Sequence, residues 1–109
     1  MLNTYVHENT AKQHYGYAHK TAEYQNNGRM DKYIGAAVAL ANEMGVTVVD
    51  CYAKWKEMSK TEDITVKLVN YINHPTAEMH ELFAEELFRA IIGEPSVITA
   101  NDSTMYKGN

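Results

Sequence analysis

Cysteine is nearly absent from this chain of 109 residues; Cys51 stands alone. One thiol cannot close an internal disulfide or build a cysteine-rich metal site, so neither device shapes the fold. Basic clusters are missing as well. Its 10 Lys and Arg are scattered among 14 Asp and Glu, for a net charge of -4, which removes the electrostatic reason to expect a nucleic-acid partner. Long apolar runs are lacking: none after Met1 reaches signal-peptide length, and none approaches the length that crosses a bilayer. The chain as given therefore reads as cytoplasmic, with no membrane partner. No glycine-rich phosphate cradle exists either, because Gly28 and Gly35 stand apart.

What is present suits one small globular domain. Apolar residues make up 45% of the chain, enough to exclude disorder throughout. Residues 1–30 read as a short strand, MLNTYV, followed by a polar, tyrosine-rich loop in which Asn26-Asn27-Gly28 signals a turn. Tyr15, Tyr17 and Tyr24 in that loop either line a pocket or cover apolar edges. From Asp31 the apolar spacing of Tyr33, Ile34, Ala37, Val38, Ala41 and Met44 predicts a helix that stops at Gly45. The β-branched run from Val46 to Tyr52 then predicts a buried strand of parallel type. A helix feeding a strand across a glycine turn is half of an α/β unit, so residues 31–93 read as an α/β core. A turn or short helix around Trp55 follows. Ser59 and Glu62 are spaced as a capping box for a helix starting near Lys60, with Ile64, Leu68, Val69 and Ile72 on its apolar face. Residues 94–109 read as a loose tail with a short strand at Ser96–Thr99.

Residues 70–93, NYINHPTAEMHELFAEELFRAIIG, are the most informative stretch. Pro75 fixes its own φ and drives His74 out of the helical region, so His74 belongs to a turn. Thr76 reads as an N-cap, Glu78 and Glu81 suit the positive end of the helix dipole, and Gly93 is the C-terminal stop. Met79, Leu82, Phe83, Leu87, Phe88, Ile91 and Ile92 form one apolar stripe that predicts a core-facing helix. An imidazole on a turn at the mouth of an anchored helix suits proton transfer, and it equally suits capping.

The segment NHPTAEMHELFAEELFRAI (73–91) resembles the last conserved block of the SGNH, or GDSL-type, hydrolases, and AAVALANEMGVTVVDCYAKW (36–55) resembles the helix and strand that usually precede that block. The resemblance covers roughly residues 30–93. It implies a three-layer α/β/α sandwich of flavodoxin-like type, here helix-rich and incomplete, resembling the carboxy-terminal half of the fold. It also implies an esterase or carbohydrate acetylesterase activity on a small acyl or acetyl ester, without a cofactor. His74 matches the base of a Ser-His-acid site. The family's acid stands three positions earlier, where this chain has Tyr71, a residue that carries no anion near neutral pH. Asn70 is the possible orienter, through a hydrogen bond without charge; Asp50 and Asp63 are the nearest upstream acids, and no spacing ties either to His74. No Gly-Asp-Ser or Gly-x-Asn-Asp stretch occurs, and Ser59, Ser96 and Ser103 lack the setting of a nucleophile elbow.

A metal centre built from His74, Glu78, His80 and Glu81 is disfavoured, because the two histidines are not spaced four apart on a helix. His7, His14 and His19, with Glu8, follow no ligand spacing, and a structural role for His80 is the plainer one. Two functions follow from these expectations. One is a hydrolase half-site whose nucleophile lies outside this chain. The other is a non-catalytic truncated domain that self-associates or binds a complementing chain, since an unpaired strand edge invites a homo-oligomer.

Overall fold

A computed structural model describes residues 1–93. The fold is helical. Four α-helices follow in order, α1 (Tyr15–Asn26), α2 (Arg29–Glu43), α3 (Cys51–Met58) and α4 (Ala77–Ile92), with 3-10 turns at Lys12–His14 and Ile64–Lys67. Among the described residues no strand and no sheet occur, and the only pairing of strand type is an isolated antiparallel bridge between Leu68 and Pro75.

That corrects the α/β expectation. The run from Val46 to Asp50 is irregular backbone, and Cys51 and Tyr52 already belong to α3. A β-branched run becomes a strand only where a neighbouring strand accepts its N–H and C=O groups, and none of the described residues offers one. Val46 remains 54% exposed, so this segment is not a buried strand. The flavodoxin-like three-layer sandwich is therefore not the architecture of this chain. Residues 1–6 form no strand, and the loop expected from His7 to Met30 contains α1. The proposed strand at Ser96–Thr99 lies outside the described residues.

Local chemistry explains the helices. Gly28 adopts φ 84°, reversing the chain between α1 and α2, while Asn27 Oδ1 accepts from Arg29 N at 3.0 Å. Gly45, at φ 70°, closes the end of α2, where Val46 N donates back to Ala41 O. Asp50 caps α3 by accepting from Ala53 N at 2.7 Å. Ser59 does not start a helix; it ends α3, and its hydroxyl donates to Lys56 O. Asp63 takes the capping role instead, accepting from Thr65 N ahead of the second 3-10 turn.

The core is small. Trp55, Ile64, Leu68 and Met79 are buried together, with Met1, Tyr52, Met58 and Phe83 packed around them. A polar peg joins its edges. Asn3 is fully buried: its amide donates to Tyr5 O and Ala18 O, its carbonyl accepts from the Thr21 hydroxyl at 2.6 Å, and its backbone N–H reaches Ile72 O. Thr4 N donates to Thr65 Oγ1 beside it. The first five residues thus pin α1 to the segment that precedes α4.

Candidate functional site

His74 stands at the end of a turn that is built almost entirely by one side chain. Asn70 Oδ1 accepts from the backbone N–H groups of Ile72, Asn73 and His74, each at 3.0 Å, and Asn70 Nδ2 donates to Asn73 Oδ1 at 2.9 Å. Tyr71 sits in the left-handed region at φ 60°, the one non-glycine residue among the described residues to do so. For a bulky side chain that conformation costs about 1–2 kcal/mol, and it persists only where the surroundings enforce it. The enforcement is visible: Tyr71 N donates to Leu68 O, Val69 N donates to His74 O at 2.7 Å, and Thr76 N donates to Lys67 O.

Aromatic rings brace the same turn. The Tyr71 ring stacks on the His7 ring, with centroids 4.1 Å apart and planes 8° from parallel. Tyr5 lies against His7 at 6.0 Å, and Tyr17 OH accepts from Asn73 Nδ2 at 3.3 Å. Tyr17 is the one of the three loop tyrosines that reaches the turn. Sequence reasoning missed His7 and Tyr5 as its partners, because both lie more than sixty residues away in the chain.

The imidazole itself is exposed, and no hydrogen bond reaches its ring among the described residues. Asn70 is not free to orient it, since its carbonyl oxygen is committed to three backbone donors. Asp50 caps α3 through Oδ1 while its buried Oδ2 accepts no hydrogen bond among the described residues, and Asp63 caps the second 3-10 turn and accepts from Tyr5 OH at 2.6 Å. That hydrogen bond, helped by burial and by the carboxylate's charge, pushes the Tyr5 phenol up to about 12. Ser59 lies on α3, bonded to the backbone; Ser96 and Ser103 lie outside the described residues.

Among the described residues no three His, Cys, Asp or Glu side chains come together to hold an ion, so the His74, Glu78, His80 and Glu81 grouping stays apart. Glu78 instead pairs with Lys67 at 3.3 Å, tying the first turn of α4 to the preceding 3-10 turn and raising the lysine's affinity for its proton. A cavity of about 500 Å³ opens elsewhere, lined by Gln25, Asn26, Asn27, Asp31, Lys56 and Ser59 among others. No residue of the His74 turn lines it. Burial, together with a hydrogen bond to Asp31, raises the Tyr52 phenol near that cavity, and burial also raises the Cys51 thiol. Among the described residues no helix is long and apolar enough to cross a membrane.

No family model, no curated protein and no solved structure matches this chain.

Proposed function

We propose that the chain carries the base-bearing half of an ester-hydrolase site, with His74 as general base and the nucleophile supplied by a polypeptide segment outside these 109 residues. The observation that supports this reading most is the His74 turn: an exposed imidazole with no hydrogen-bond partner among the described residues, held on backbone that includes a strained tyrosine and a fully engaged asparagine. Strain of that kind is retained where a side chain must be presented in one direction. The local resemblance of residues 73–91 to the last block of SGNH hydrolases points to the same role, although the sandwich that usually carries that block is not the fold here.

In that role the imidazole removes the proton of an attacking hydroxyl, and a small acyl or acetyl ester is the substrate class. A positioned base contributes about 10²–10⁴-fold, and only beside a nucleophile and oxyanion donors. The 109-residue chain alone should hydrolyse p-nitrophenyl acetate no faster than free imidazole and should not react with a fluorophosphonate. Sequencing the genomic DNA upstream of the Met1 codon tests the other half. A continuous reading frame with a Gly-Asp-Ser stretch supports the reading. A stop codon there, together with no candidate nucleophile in a neighbouring frame, removes it.

A second reading rests on a separate observation. The outward side of α4 is apolar and uncovered, as expected for a non-catalytic module that binds another protein or a copy of itself.

A further inference from the structure

The cavity of about 500 Å³ lies where the end of α1, the start of α2 and the end of α3 meet. Three successive carboxamides, Gln25, Asn26 and Asn27, lead into the reversal at Gly28 and form part of its wall. Asp31, Lys56 and Ser59 add to the lining, and the volume is that of a small-molecule site.

Each carboxamide is only partly used within the chain. Gln25 is 4% exposed; its Oε1 accepts from Leu2 N at 3.1 Å, and its Nε2 donates to Tyr52 OH at 2.8 Å. An amide nitrogen carries two hydrogens, so one buried N–H of Gln25 is left without an acceptor among the described residues. A buried donor of this kind calls for a partner. Asn26 spends Nδ2 on Thr4 O and keeps Oδ1, whereas Asn27 spends Oδ1 on Arg29 N and keeps Nδ2. Charge, by contrast, is already balanced. Asp31 accepts from Tyr52 OH at 2.6 Å and pairs with Lys56 Nζ at 3.3 Å, so an ionic ligand meets no unopposed charge here.

We propose that this cavity binds a small neutral polyol of about monosaccharide size. A hydroxyl both donates and accepts, which suits a lining that holds spare donors and spare acceptors side by side. Asn27 Nδ2, Gln25 Nε2 and Lys56 Nζ donate to its oxygens, while Asn26 Oδ1 and Asp31 accept from its hydroxyls. An apolar ligand strands those groups, and a flat heterocycle finds no aromatic ring in the lining to stack on. Ile64 is the one apolar side chain there. No residue of the His74 turn takes part, so the proposal stands or falls apart from the hydrolase reading.

Nitrogen-15 NMR of the full chain, titrated with myo-inositol and with glucose, tests it through the side-chain amide signals of Gln25, Asn26 and Asn27. We expect saturable shifts of those signals with a dissociation constant below about 10 mM for at least one of the two. Asn27→Asp keeps the oxygen that caps α2 and removes the free donors, so it should weaken binding about three- to tenfold with helix content unchanged. Lys56→Met, at a half-exposed pair, should weaken binding as well. Shifts that never saturate, or saturable binding indifferent to both substitutions, overturn the proposal. Tighter binding of free alanine, a zwitterion, than of either polyol overturns the assignment of a neutral ligand.

Discussion

At the scale of single residues, Asn70 matters more than its neutral side chain suggests. One carbonyl oxygen terminates three N–H groups of the His74 turn. Asn70→Ala should cost about 1–3 kcal/mol in urea denaturation, the usual cost of stranding donors around a half-buried turn. His74→Ala, by contrast, removes an exposed ring with no hydrogen bond among the described residues and should change stability by no more than about 0.5 kcal/mol. That contrast separates a residue that builds the turn from one that the turn presents. Tyr5 offers a pH-dependent check. Its folded-state pKa of about 12 lies above the ordinary 10.0, so its hydrogen bond to Asp63 adds stability in full below pH 10 and loses it as the pH climbs toward 12. Tyr5 is 42% exposed, and solvent screening holds the contribution under about 1 kcal/mol. Tyr5→Phe should therefore be slightly less stable than the parent near neutral pH, and the difference should vanish in strong alkali.

At the scale of elements, an ion pair ties α3 to the inward face of α4. Lys54 and Glu86 have side chains 15% and 5% exposed. Removing the cation leaves a buried carboxylate short of its partner, so Lys54→Met should destabilise the fold by about 3 kcal/mol, measured by chemical denaturation. The paired change Lys54→Met with Glu86→Leu should recover most of that loss. Helix limits were the most legible feature of the chain. Thr76 and Gly93 bracket α4, Gly93 in the left-handed conformation of a C-cap and Thr76 at the N-cap position without a side-chain capping bond, and α2 begins only two residues before Asp31. Orientation was not legible. Leu87, Phe88, Ile91 and Ile92 read as core positions, yet they are exposed, because the face turned inward is the one that carries Met79, Phe83 and Glu86 at i, i+4 and i+7. The helix α1 escaped notice because its buried positions are Ala18, Thr21, Ala22 and Gln25, which carry helical spacing without hydrophobic contrast.

At the scale of the whole molecule, the α/β expectation failed for a physical reason. Val46 to Tyr52 has the composition of a buried strand, but composition cannot supply the partner strands that a parallel sheet requires. The described residues settle the chain as helices around a small core centred on Trp55 and pegged by Asn3, a buried amide that no sequence pattern announces. The candidate site was half legible. The residues of the turn, Asn70 to Pro75, stood out from Pro75 and the polar run before it, whereas the stacking of His7 on Tyr71 depends on a chain reversal that sequence spacing does not encode.

The central claim is that His74 is a presented base awaiting a nucleophile from another segment. Fluorophosphonate labelling measures it most directly, applied to the 109-residue chain and to the polypeptide encoded when the reading frame is extended upstream. The account predicts no label on the 109-residue chain, a label on the extended polypeptide, and loss of that label in its His74→Ala variant. Labelling of the 109-residue chain itself, or labelling of the extended polypeptide that His74→Ala leaves intact, contradicts it.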